Sequence, residues 1–149
     1  MLRGDWLGHP VHPALTDLPI GFWTSAWVMD LVPGGRTAAR RLIGLGVLAA
    51  IPTAMTGAAD WPSLSRRKDS AAVAHLTCNL GATALYALSW RARHRGHGLR
   101  GFALAQLGAV AATTGAALGG HLAFGRDPRP GTAAVEAEAE SVTGVVITP

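Results

Sequence analysis

The sequence predicts an all-α membrane protein: a four-helix transmembrane bundle with antiparallel neighbours and short loops, followed by a disordered C-terminal tail. Three observations predict it. Hydrophobic residues make up 49% of the 149 residues and charged residues only 15%, against roughly 25% charged in an average soluble domain. The charges are bunched, so that 42–59, 71–90 and 101–125 contain no Asp, Glu, Lys or Arg. Each stretch is about the 20 residues that a helix needs to cross hydrocarbon.

The helices are expected at about 13–33, 42–60, 70–93 and 100–124. The first is the least apolar, because Asp17 and Asp30 lie near its two ends. Connections at 34–41, 61–69 and 95–100 carry Arg or Lys with Gly, Pro or Ser, which is loop chemistry. Short connections make neighbouring helices antiparallel. Residues 1–125 form one transmembrane domain, and 126–149, rich in Pro, Ala and Glu, form the disordered tail. No tandem repeat is expected. Gly101, Gly108 and Gly115 recur every seven residues, with Gly119 one turn further. In lipid such small residues mark helix contact faces.

The net charge of +4 does not make a nucleic-acid binder. The arginines fall between apolar segments, at headgroup level, and no basic face interleaved with aromatics is present. Four spans place six basic residues (Arg3, Arg66, Arg67, Lys68, Arg126, Arg129) on one side and seven (Arg36, Arg40, Arg41, Arg91, Arg93, Arg95, Arg100) on the other. That split gives no positive-inside bias. The lead 1–12 is too polar and Pro/His-rich for a signal peptide, so the first span is expected to act as its own signal. A single cysteine, Cys78, excludes an internal disulfide and an iron–sulfur cluster ligated by cysteines of this chain alone. No nucleophile–base pair or phosphate loop appears, so an enzyme of the soluble type is not expected.

The chemistry-bearing residues gather at one end of the predicted bundle: His9, His12, Asp17, Asp60, His75 and His121. Helical spacing extends them into stripes: Asp17–Gly21–Thr24, Thr53–Thr56–Asp60, His75–Asn79–Thr83–Tyr86, and Gln106–Thr114–Ala117–His121. Polar groups in a bilayer turn inward, so the stripes are expected to converge. His75 and His121 lie at matching depth, roughly 5–6 Å inside their apolar runs at 1.5 Å per residue. Two such imidazoles suit the axial positions of a b-type haem, with Gly119, Gly120 and Gly81 opening the gap and Asn79 in support. Bland readings stand beside each: a helix-locking hydrogen bond for a lone His, an N-cap for Asp17, a helix end for Asp60, and interface anchoring for Trp6, Trp61 and Trp90. Trp23 and Trp27 read as packing or lipid-facing.

The blocks Leu7-Gly-His-Pro-Val-His-Pro-Ala-Leu-Thr-Asp-Leu-Pro-Ile-Gly-Phe-Trp-Thr-Ser-Ala26, Gly57-Ala-Ala-Asp60-Trp61, His75-x-x-x-Asn79 and Gly119-Gly-His121-Leu-Ala-Phe-Gly125 resemble a bacterial membrane family known as domain of unknown function 2231. The resemblance spans about residues 7–125. It implies four membrane helices in a bacterial inner membrane and no settled activity. Some relatives carry a Rieske-type iron–sulfur domain, which implies electron transfer. This chain lacks the second cysteine, so its redox partner would be a separate protein.

The leading functional expectation is a redox-associated membrane protein with haem b on His75 and His121. The alternatives are a non-haem metal or proton site on His9 and His12 with Asp17 and Asp60, and a structural or assembly subunit whose polar residues only lock helices. The lipid bilayer is the expected partner; nucleic acid is not.

Overall fold

The computed structural model describes residues 11–65 and 70–124, with side chains described over 11–59 and 70–122. The expected tail, His9 and the side chain of Asp60 lie outside the described residues. Four helices run in order: α1 (Val11–Leu31), α2 (Arg36–Ser65), α3 (Ser70–His94) and α4 (Gly98–Phe124). No strand occurs among the described residues. Three helices are long and apolar enough to cross a membrane, over Arg36–Ala59, Ser70–His94 and Gly98–Leu122. α1 is not among these three.

Glycine ends the first helix of each pair. Gly34 (φ 78°) and Gly96 (φ 81°) adopt the left-handed conformation that closes a helix at little steric cost. After α3, His97 N–H donates to Ala92 O at 3.0 Å and Gly96 N–H to Arg93 O at 3.2 Å. The chain therefore turns back at once, and α1 packs on α2 as α3 packs on α4.

Inside, apart from Ile43 and the Trp23–Tyr86 pair, the buried apolar side chains are small. Ala26, Ala39, Ala50, Ala72, Ala82 and Ala105 are buried, whereas Leu48, Leu80, Leu107 and Val110 are exposed. A water-soluble protein places its large aliphatics inward; small-inside and large-outside is how helices pack within lipid. Pro19 lies within α1 and cannot donate a hydrogen bond to Leu15 O. The hydroxyl of Thr53 on α2 donates to that carbonyl instead, at 3.1 Å, and also lies 2.9 Å from Ala49 O.

The two hairpins repeat one another, contrary to the expectation of no repeat. His12 meets His75, Trp23 stacks on Tyr86 and Asp30 pairs with Arg93. In each case the partner's number is higher by 63 (12 and 75, 23 and 86, 30 and 93). The second helices repeat with a step of 62. Gly46 faces Trp23 as Gly108 faces Tyr86, and Gly57 faces His12 as Gly119 faces His75. Along 39–57 and 101–119 the halves share Leu42/Leu104, Leu45/Leu107, Gly46/Gly108, Ala49/Ala111, Ala50/Ala112, Ala54/Ala116 and Gly57/Gly119. α1 and α3 thus run in the same direction, and their three rungs join equivalent positions. That arrangement places the rungs on a pseudo-twofold axis along the helices.

The repeat is broken along its sides. α2 and α3 pack closely, whereas α1 and α4 barely touch. Gly44 explains the first: Trp90 lies so near that a methyl added there would come within 2.7 Å of its Nε1. The position equivalent to Gly44 is Gln106, and the one equivalent to Trp90 is Trp27. Gln106 and Trp27 do not close together in the same way; both line a small cavity with Asp30, Ile43 and Tyr86.

Candidate functional site

His12 opens α1 and His75 lies in the second turn of α3. The two rings are half-buried, with centroids 6.5 Å apart at an interplanar angle of 86°. Each ring is seated on a glycine of its own hairpin. A methyl on Gly57 would come 2.8 Å from His12 Cε1, and one on Gly119 would come 2.7 Å from His75 Cε1. Only glycine leaves room for an imidazole against the helix backbone there.

Both rings are also fixed by the same hydrogen bond. His12 Nδ1 lies 3.0 Å from Thr53 O, and His75 Nδ1 lies 2.8 Å from Gly115 O. A carbonyl only accepts, so Nδ1 carries the hydrogen in each ring and the neutral imidazole keeps its lone pair on Nε2. The two acceptors occupy equivalent positions of the repeat, 53 and 115. Around His12, Thr56 Oγ1 is 3.2 Å from Nδ1 and itself donates to Thr53 O at 2.8 Å. Around His75, Asn79 Nδ2 donates to His75 O at 2.7 Å and lies beside the ring, 3.2 Å from Nδ1 and 3.4 Å from Nε2.

The expected site residues divide. Asn79, Thr53 and Thr56 turn inward beside the histidines, as their stripes predict. His121 and Asp17 are exposed. Gly119 faces His75, so His121, two residues on, lies about 200° further around α4. Asp17 stands in the same relation to buried Pro19. The expected stripes Asp17–Gly21–Thr24 and Thr114–Ala117–His121 therefore face outward, and the inward face of α1 is Pro19, Trp23 and Ala26.

The seam between α3 and α4 is closed at four levels, by Arg93 on Gly101, Tyr86 on Gly108, Asn79 on Gly115 and His75 on Gly119. Gly120 borders open space, but a macrocycle held between His75 and His121 would require the two helices to part. The residues as placed do not fit a haem there. Among the described residues no group of three or more His, Cys, Asp or Glu is poised around a metal; the histidine pair offers two nitrogens.

A second polar cluster, unforeseen in the sequence, lies at the opposite end. Arg93 donates to Asp30 through Nη1 at 2.6 Å and Nη2 at 2.7 Å, and both side chains are only 6% exposed. Arg93 Nε donates to Ser89 Oγ at 3.2 Å, and Ser89 Oγ to Gly101 O at 2.6 Å. α1, α3 and α4 are thus tied together. Between the two polar ends, Trp23 stacks on Tyr86 at 4.1 Å and 13°, and the buried Trp23 Nε1 has no acceptor among the described residues. The spacing His12–Trp23–Asp30 against His75–Tyr86–Arg93 was the available signal. Compared with protein-family models, curated proteins and solved structures, the chain matches none.

Proposed function

We propose that the chain is a multi-pass membrane protein whose four helices all cross the bilayer as an antiparallel bundle, and that its working site is a cation-handling pair, His12 and His75. The exterior of large aliphatics supports the membrane reading. α1 has 21 residues, about 32 Å at 1.5 Å per residue, which suffices to span. Its Asp30 is neutralised by Arg93, so hydropathy alone understates its fitness for the bilayer.

One observation carries the site: two histidines at equivalent positions both donate Nδ1–H to a backbone carbonyl and keep Nε2 as the basic atom. Each Nε2 can gain or lose a cation, a proton included, without breaking the bond that positions the ring. The placement differs from the expected His9/His12 set with Asp17 and Asp60, because the fold brings His75 to His12 while Asp17 faces outward.

Nitrogen-15 NMR of histidine-labelled protein in detergent tests this reading. Both rings should show the Nδ1–H tautomer when neutral, and Nδ1–H should persist when the pair takes up a proton at Nε2. An Nε2–H tautomer at either residue would overturn it. The structural alternative draws on the same hydrogen bonds, since they also tie α1 to α2 and α3 to α4. Under it, neither ring would exchange a cation.

A further inference from the structure

We infer that His12 and His75 bind one divalent first-row transition-metal ion between them, each through Nε2. The inference rests on the cation-handling reading of the pair and names the cation. Metal-bound histidine characteristically donates its other ring N–H to a carbonyl or carboxylate, which fixes the tautomer and aims the ligating nitrogen. Both rings meet that condition, at 3.0 Å to Thr53 O and 2.8 Å to Gly115 O. A helix lock alone would need only a donor, which Ser, Asn or Gln supplies without a basic nitrogen left over.

The two rings stand close to the separation of one shared ion. A ring centroid lies about 3 Å from a metal it ligates, from a bond of ~2.0–2.1 Å plus about 1.1 Å to the ring centre. Two rings on one ion therefore stand about 5 Å apart at a tetrahedral angle and about 6 Å apart when opposed. The observed 6.5 Å lies beyond both, so the rings must approach by about 0.5 to 1.5 Å to share an ion. The Asn79 amide beside His75 Nε2 would give way while keeping its shorter bond to His75 O.

His12 and His75 also occupy equivalent positions of the two hairpins, 63 residues apart, and meet each other there. An ion on a pseudo-twofold axis takes the same ligand from each half; a proton would need only one of them. Imidazole nitrogen suits Zn²⁺, Cu²⁺, Ni²⁺ and Fe²⁺, and water completes the coordination.

Zn²⁺ titration by calorimetry tests this, on the full chain stripped with chelator and purified through a tag free of histidine. The expected result is saturable binding of one Zn²⁺ per chain, weakened at least about tenfold, the scale on which metal sites respond to lost support, by His12→Gln and by His75→Gln. Glutamine keeps an N–H for the carbonyl, so these variants retain the helix lock and lose only the ligand. His121→Gln should bind like the parent. No saturable binding, or binding that His12→Gln and His75→Gln leave unchanged, would overturn the inference. With the NMR signature of Nε2 protonation intact, that failure would leave a proton site; with it absent, the cation reading falls as well.

Discussion

Asp30 and Arg93 meet end to end, two parallel N–H···O bonds of 2.6 and 2.7 Å joining α1 to α3 across the helical core. Both side chains are largely withdrawn from water, and the pair ties the two halves of the chain together at the end remote from the histidines.

Removing one member should leave the other as a buried, unpaired charge. Asp30→Asn or Arg93→Gln is therefore expected to cost about 3–5 kcal/mol, whereas Asp30→Leu combined with Arg93→Met should be nearly neutral or stabilising. Unfolding of the detergent-solubilised protein by SDS titration measures both. Equal losses in the single and double variants would show that the pair is not the source of the effect.

Glycines that touch an aromatic or imidazole ring should differ sharply from those that face open space. Gly57→Ala and Gly119→Ala force a methyl toward a histidine ring and are expected to cost about 1–3 kcal/mol, as overpacking does. Gly21→Ala and Gly120→Ala meet nothing within 4 Å and should lose nothing or gain slightly, since alanine is the better helix former. The same SDS titration decides, with all four variants compared side by side.

The contrast between Gly44 and Gln106 predicts an engineered change of seam. Gly44→Gln should expel Trp90 from its seat on α2 and loosen α2 from α3, at about 1–3 kcal/mol. Cysteine pairs placed across that seam would then crosslink more slowly in the variant than in the parent. Unchanged crosslinking would mean that Gly44 does not set the close approach of α2 and α3.

Four crossings put Arg3, ahead of α1, and the turn at Gly34 on opposite sides of the membrane. Single cysteines introduced at these two positions, in a Cys78→Ser background, should react unequally with an impermeant thiol reagent added to one face of sealed vesicles. Equal accessibility would remove α1 from the set of spanning helices.

Much of this fold is legible in the sequence. The charge-free stretches mark the apolar centres of α2, α3 and α4, although α2 itself runs from Arg36 to Ser65 and takes in most of the expected connection 34–41 and residues 61–65 of the next. The Gly101–Gly108–Gly115–Gly119 stripe marks the face of α4 toward α3, and Thr53, Thr56, His75, Asn79 and Tyr86 lie on inward faces as their spacing implies. The orientation of α1 is not legible by the same rule. Asp17, close to the helix start, need not turn inward if it reaches headgroups, whereas Trp23, which composition reads as lipid-facing or packing, fills the axis against Tyr86. The partner of His75 is also hidden, because His12 reads as a polar lead rather than as part of a helix. The repeat escapes a simple search for two reasons. Its step changes from 63 to 62 at the turns, and α1 and α3 keep only His and Trp in common.

The Asp30–Arg93 rung has a consequence for how such a chain can arise. A symmetric dimer of two identical hairpins places the same residue twice on its axis. At this level it would hold two carboxylates or two guanidiniums face to face, a repulsion that a buried pair relieves only by giving up a charge. Opposite charges become possible there only once the halves are encoded separately and can change independently. The salt bridge is therefore a trait of the fused chain, and two copies of either half could not substitute for the pair.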